Sequence, residues 1–184
     1  MKKEMEVKIL NIDVLKVIEK LNFLGAKFLH EENQKNYHIF SSKIDIIPKG
    51  SYLRIRELLS KNGEVLHCEL TYKENIANKS FRENNEFNVN FSDTKTMLEI
   101  LKFLGYDIVK IGEKNRISFE FMDSIIDIDT WNKEIYPYPY MEIETESFEN
   151  LYKILNLLEI DKENISLKSI EQLREEVKNQ KEYI

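Results

Sequence analysis

The chain opens on Glu4-Met5-Glu6-Val7-Lys8 followed by Ile9 and Leu10, a stretch in which charged and apolar positions alternate. Successive side chains of a strand point to opposite faces, so Glu4, Glu6 and Lys8 share one side and Met5, Val7 and Ile9 the other. The alternation returns along the chain. Tyr52 to Arg56 sets Arg54 and Arg56 opposite Leu53 and Ile55. Cys68 to Lys73 sets Glu69, Thr71 and Lys73 opposite Cys68 and Leu70. Arg82 to Phe91 sets Arg82, Asn84, Glu86, Asn88 and Asn90 against Phe87, Val89 and Phe91. Lys114, Arg116, Ser118 and Glu120 share a face, Asp127 and Asp129 alternate with Ile126 and Ile128, and Glu142 and Glu144 alternate with Met141 and Ile143. With Asn36 to Phe40, about eight strands are predicted.

Between the strands the period changes to that of helices. Ile12, Leu15, Ile18, Leu21 and Leu24 follow the capping residues Asn11 and Asp13 and stop at Gly25. Met97, Leu98, Leu101 and Leu104 follow Ser92 and stop at Gly105, and Leu151, Ile154, Leu155 and Leu158 follow Ser147. The stretch with Glu31, Glu32 and Lys35 reads as a link, Asn62-Gly63 as a hairpin turn, and 131–139 as a stiff aromatic loop. Residues 166–184 read as a highly charged helical end. Residues 6–25 and 86–105 overlay without a gap, each a polar-faced strand, a capped helix and Phe-Leu-Gly, which predicts two pseudo-equivalent halves about one axis.

The apolar strand faces need the helices as cover, so the charged faces must meet each other. Closing the sheet into a barrel achieves this and removes the exposed edges. The lining would carry Lys8, Arg54, Arg56, Lys73, Arg82, Lys114 and Arg116 with Glu4, Glu6, Glu86, Asp127, Asp129, Glu142 and Glu144. Like charges about 4 Å apart repel by roughly 4 kcal/mol at an effective dielectric near 20. Such a lining therefore needs acid–base pairs or ligands. Buried ion pairs alone are a poor source of stability, so a bound polyanion with cations accounts for the charge better than a purely structural network. Basic groups would grip phosphate oxygens, and clustered carboxylates would hold a hard divalent ion such as Mg2+ or Mn2+.

Composition narrows the classes. At 184 residues, with 42% hydrophobic and 33% charged positions, the chain suits one structured domain, residues 1–184, with a core over 1–160 and a helical segment over 161–184. A net charge of -6 argues against nucleic acid as a partner. The lone Cys68 permits no intrachain disulfide, and His30, His38 and His67 lack metal-ligand spacing. No long apolar segment follows Lys2 and Lys3, which predicts no membrane contact and a cytoplasmic location.

With these residues in view, the chain resembles the CYTH superfamily, the triphosphate tunnel metalloenzymes, which include class IV adenylyl cyclases and thiamine triphosphatases. The resemblance rests on Glu4-Met5-Glu6-Val7-Lys8, Leu53-Arg54-Ile55-Arg56, Leu70 to Lys73, the Arg82 to Glu86 strand, Lys114-Asn115-Arg116, Asp129 and Glu142-Ile143-Glu144. It implies an α+β fold: an eight-stranded antiparallel closed β-barrel, the triphosphate tunnel, with helices outside. Lys8, Arg54, Arg56, Lys73, Arg82, Lys114 and Arg116 would bind phosphates. Glu4, Glu6, Asp129, Glu142 and Glu144 would hold Mg2+ or Mn2+, with Lys8, Glu4 and Glu6 the catalytic set. The expected small-molecule partner is ATP, inorganic triphosphate or thiamine triphosphate, and a homodimer is a candidate assembly. Two departures stand out: Asn84 where many relatives carry a glutamate, and Ser169-Ile170 where cyclase-like members show Ser-Tyr. The stretch from Ile128 to Glu142 favours the cyclase reaction, the missing tyrosine favours hydrolysis, and a non-catalytic polyphosphate or nucleotide sensor is a third reading.

Overall fold

The computed structural model describes residues 2–43, 46–76 and 82–182. The side chains at 2–5, 82 and 180–182 lie outside that description, those of Glu4 and Arg82 among them. Nine strands and four helices follow in the order β1 (Lys2–Ile9), α1 (Val14–Phe23), β2 (Lys27–Phe40), β3 (Tyr52–Leu59), β4 (Val65–Ile76), β5 (Arg82–Phe91), α2 (Thr94–Phe103), β6 (Ile108–Phe121), β7 (Ser124–Trp131), β8 (Tyr140–Glu144), α3 (Phe148–Leu158), β9 (Ile165–Ser166) and α4 (Ile170–Glu182). No helix among the described residues is long and apolar enough to cross a membrane.

The helix signals act as the sequence suggests. Asp13, Asp93 and Ser147 cap α1, α2 and α3, each side chain accepting a backbone N–H of the first turn. Asp93, not the expected Ser92, holds the α2 position because its carboxylate takes the amides of Lys95 and Thr96 and the Thr96 hydroxyl. Gly25 and Gly105 close their helices at φ of 79° and 97°, which a side chain would strain. The strands β2 and β6 run longer than expected. The stretch with Glu31, Glu32 and Lys35, read as a link, is paired backbone of β2, and because Lys27, His30, Glu31 and Asn33 face solvent no apolar alternation marks it. The ninth strand exceeds the expected eight because Ile165 and Ser166 add to β1 as register partners of Ile9 and Lys8.

The chain forms two compact units. One comprises Met1–Glu4, Glu32–Asn78 and Glu83–Lys114, the other Met5–Glu31, Lys79–Arg82 and Asn115–Ile184. In the first, strand order is β5-β4-β3-β2-β6 and the β2–β3, β3–β4 and β4–β5 pairs are antiparallel. Met97, Leu98 and Leu101 of α2 pack there on Tyr37, Ile39, Leu53, Ile55, Leu70 and Phe91. In the second, order is β2-β6-β7-β8-β1-β9. Val17 and Leu21 of α1 and Leu151, Ile154, Leu155 and Leu158 of α3 cover Val7, Ile9, Phe119, Ile126, Ile128, Met141 and Ile143. A smaller cluster joins Leu173 of α4 to Trp131, Tyr136 and Tyr140.

The internal repeat extends beyond its sequence trace. Each copy runs strand, helix, long strand, strand, strand: β1-α1-β2-β3-β4 and β5-α2-β6-β7-β8. The opening strand and helix of each copy pack with the three later strands of the other, since β1 and α1 belong with β6, β7 and β8, and β5 and α2 with β2, β3 and β4. Both apolar clusters therefore draw on both copies. Ile126, fully buried among these side chains, tests that arrangement. Ile126→Ala should cost about 2–5 kcal/mol in urea-induced unfolding followed by circular dichroism.

Candidate functional site

In the second unit the charged positions predicted to share a face form one row across three strands. Asp127 of β7 is the register partner of Glu142 of β8, which is the partner of Lys8 of β1. Lys8 Nζ donates to Glu142 Oε1 at 2.8 Å and lies 3.8 Å from Glu6 Oε1. Arg116, reaching in from β6, meets three carboxylates. Its Nε and Nη2 donate to the two oxygens of Asp129 at 2.6 Å each, Nη2 also to Glu142 Oε2 at 2.7 Å, and Nη1 to Asp127. The Ser118 hydroxyl donates to the second oxygen of Asp127 at 2.5 Å. None of these groups is a surface charge: the Lys8 side chain is 5% exposed, Arg116 14% and Asp129 0%.

Burial opposes the Arg116 charge and is the largest single influence on it. Asp129, Asp127 and Glu142 together outweigh burial and hold its proton more firmly than water would. Tyr140 closes one side, with Lys8 Nζ 5.8 Å from its ring centre and its hydroxyl accepting from Trp131 Nε1 at 2.9 Å. Burial, then the charges of Asp129 and Glu142, push the Tyr140 hydroxyl well above the usual phenol range, so it stays protonated.

The first unit carries its own buried polar face. Lys73 of β4 is the register partner of Glu86 of β5 and donates to it at 3.0 Å, the side chains 6% and 10% exposed. Burial alone would raise the Glu86 carboxyl; Lys73 and, further off, Arg54 bring it down to about 2. Arg54 is buried, its Nη2 donating to Thr71 Oγ1 at 3.3 Å, its guanidinium 5.7 Å from the Tyr52 ring centre, and its Nε without an acceptor. Arg56 Nε donates to Asn36 Oδ1 at 3.2 Å, and Lys114 is buried in this unit as well.

Of the residues singled out in the sequence, Lys8, Glu6, Arg116, Asp129, Glu142 and Glu144 fall in the second unit, and Arg54, Arg56, Lys73 and Lys114 in the first. The placement of the Glu4 and Arg82 side chains lies outside the described residues. Asp129 and Glu142 give both oxygens to Arg116 and Lys8. Glu6 and Glu144 are register partners, two carboxylates on directly opposed positions, which is unfavourable unless positive charge lies close by. Among the described residues no three His, Cys, Asp or Glu side chains are grouped to hold a metal ion. The oxygen chemistry of Glu6 and Glu144 nevertheless suits Mg2+, which commonly takes one or two carboxylates and completes its shell with water and substrate phosphates. Sequence reasoning passed over Asn36 and saw in Asn84 only a lost charge; both are buried on the polar face of the first unit.

Comparison with known proteins follows the same direction. A family model, the CYTH domain, matches residues 2–175. A Methanocaldococcus jannaschii protein that carries a provisional adenylate cyclase name is 28% identical over 93% of this chain and 98% of its own length. Two solved structures from Pyrococcus horikoshii share the fold. The PH1819 protein superposes at a TM-score of 0.76 with 24% identity over 94% of this chain and 98% of that one. The PH1012 protein gives 0.75 with 22% identity over 92% and 98%.

The depressed Glu86 carboxyl makes the first unit acid-sensitive in a definite window. Its folded value lies below its ordinary one, so its contribution is fully present above about pH 4.5 and is lost as pH falls through about 2. Lys73→Met removes the main cause of that depression. It should move the acid-unfolding midpoint, followed by circular dichroism, to higher pH, whereas an unchanged midpoint would mean that the pair does not operate.

Proposed function

The chain belongs to the CYTH family, and on that premise we propose that it is a metal-dependent enzyme acting on a triphosphate, most nearly a class IV adenylyl cyclase converting ATP to cyclic AMP and pyrophosphate. The observation that carries the reading is Arg54, a buried guanidinium that among the described residues donates one hydrogen bond, to the neutral Thr71 hydroxyl, and whose Nε meets no acceptor there. A buried cation answered so sparsely by the protein calls for an anionic ligand, and a guanidinium fits phosphate oxygens.

In this reading Arg54, Arg56, Lys73, Arg82 and Lys114 bind phosphate oxygens, and Lys8 and Arg116 stabilise charge at the reacting phosphorus. Glu6 and Glu144, with Glu4, would hold the divalent cation, Mg2+ or Mn2+. That cation, when bound, neutralises phosphate oxygens and draws electron density from the phosphorus. In the cyclase reaction the ribose 3′-oxygen forms a bond to the α-phosphorus, the bond from that phosphorus to pyrophosphate breaks, and the hydroxyl proton is released. Asp127 and Asp129 keep Arg116 charged and fixed in orientation, so that no reorganisation is needed when negative charge develops. Tyr140 shields Lys8 from water on one side.

One observation supports a second reading, hydrolysis of inorganic triphosphate or thiamine triphosphate. Ser169, the best counterpart of the serine in cyclase-like members, caps α4: its hydroxyl accepts the Gln172 N–H at 3.2 Å, and Gln172 Oε1 accepts the Ser169 N–H at 2.8 Å. It therefore serves as the cap of helix α4. Incubation with Mg2+ or Mn2+ and, separately, ATP and inorganic triphosphate decides between the two. Cyclic AMP with pyrophosphate from ATP is expected; orthophosphate from inorganic triphosphate without cyclic AMP would replace the cyclase by the hydrolase. On either substrate, Lys8→Met and Arg54→Met should each lower kcat/KM by about 10²–10³-fold, and chelation of the cation should stop turnover.

A further inference from the structure

On the polar face of the first unit, two buried amides are held in one orientation with their nitrogen atoms unused. Asn36 of β2 is 1% exposed and Asn84 of β5 is 0% exposed. Asn36 Oδ1 accepts from Arg56 Nε at 3.2 Å, and Asn84 Oδ1 accepts from Asn75 Nδ2 at 3.3 Å. The first of these contacts is chemically forced, because a guanidinium has donors only and an amide beside it must present its oxygen. Each carbonyl is thereby anchored and each NH2 group turned away from the anchor. Among the described residues neither Nδ2 has an acceptor, and Arg54 Nε is a third buried donor in the same state. Gln34 Oε1, two positions before Asn36 on β2, is an acceptor without a donor among the described residues, its amide nitrogen directed to Glu32.

Buried N–H groups left without acceptors are costly and rare in native proteins. Here three such donors come from three strands, β2, β3 and β5, on the face that also carries Lys73 and Arg56. A small anion satisfies one such place. A linear chain of phosphates offers oxygens along its whole length. The acidic groups of this face do not compete for it, since Glu86 is bound by Lys73 and Glu69 accepts from Thr71 Oγ1 at 3.1 Å.

We infer that Asn36 and Asn84 are further substrate-binding residues, whose amide N–H groups, together with Arg54 Nε, take phosphate oxygens directly and without an intervening divalent cation. This deepens the triphosphate reading and rests on it. The first unit then anchors the polyphosphate before the cation arrives, and the cation is needed for turnover rather than for capture.

The test uses the full chain, inorganic triphosphate and EDTA. In the 15N-labelled wild-type protein, the side-chain NH2 resonances of Asn36 and Asn84 should move on titration and saturate together with the backbone resonances of β3. Asn36→Ala and Asn84→Ala should each weaken cation-free binding by about tenfold, the loss of one hydrogen bond to a charged acceptor. The wild-type titration decides the matter even if a variant fails to fold. Binding that requires Mg2+, or binding in EDTA that leaves both NH2 resonances in place, would overturn the inference while leaving the triphosphate reading intact. Absence of any triphosphate binding with Mg2+ present would remove both.

Discussion

Taking a charge out of water costs several kcal/mol even after the protein relaxes around it, and in this chain the charges lie on the buried side of the sheet. Arg116 is where that constraint is met most completely. One guanidinium joins Asp127 and Asp129 of β7 to Glu142 of β8, and Glu142 passes the connection to Lys8 of β1. Four strands of the second unit thus depend on one set of hydrogen-bonded charges. Taking away one member would leave the others buried without their partner, which typically costs more than the intact pair contributes. Beneath that set, Ile126, Ile128, Met141 and Ile143 supply the apolar packing that holds the strands in register. A slip of one residue would exchange the two faces entirely.

The two units answer their charges differently. In the second, Asp127, Asp129 and Glu142 around Arg116 give the cation more acceptors than one carboxylate could. In the first, Lys73 has Glu86, but Arg54 has a hydroxyl and an aromatic ring, and the nearby amides add donors rather than acceptors. The repeat explains how one chain comes to have both. The same strand, helix and three-strand order is used twice with exchanged partners, so each unit receives a similar frame while its polar face differs. On the overlay of residues 6–25 with 86–105, Glu6 opposite Glu144 in one unit corresponds to Glu86 opposite Lys73 in the other.

Much of this was legible in the chain because period-two alternation and helix caps are local signals. Glu4 to Lys8, Tyr52 to Arg56 and Glu142 to Glu144 show their two faces in the sequence alone, and Asp13, Ser147, Gly25 and Gly105 mark helix ends by backbone chemistry. The first half of β2 was not legible, since Lys27, His30 and Glu31 face solvent and leave no apolar period. Nor was β9, a strand of two residues that exists through its pairing with Ile9 and Lys8. In the site, the types and faces of the charged residues could be read, but not their partners. That Asp129 would be bound on both oxygens by Arg116 depends on the reach of a side chain across strands. Asn36 carries no charge and gave no signal, and Asn84 stood out only as a missing glutamate; that each holds a buried amide nitrogen without an acceptor among the described residues shows only in the folded chain.

The central claim is that the buried polar face exists for a polyphosphate rather than for the fold alone. Thermal unfolding of the full chain with Mg2+, with and without inorganic triphosphate, addresses it directly, because a ligand that binds only the folded state must raise the midpoint by mass action. At triphosphate about a hundredfold above its dissociation constant the account predicts a stabilisation of about 2.7 kcal/mol, seen as a rise of several degrees that orthophosphate at the same concentration does not reproduce. A midpoint indifferent to triphosphate would show that the charges answer one another and nothing else.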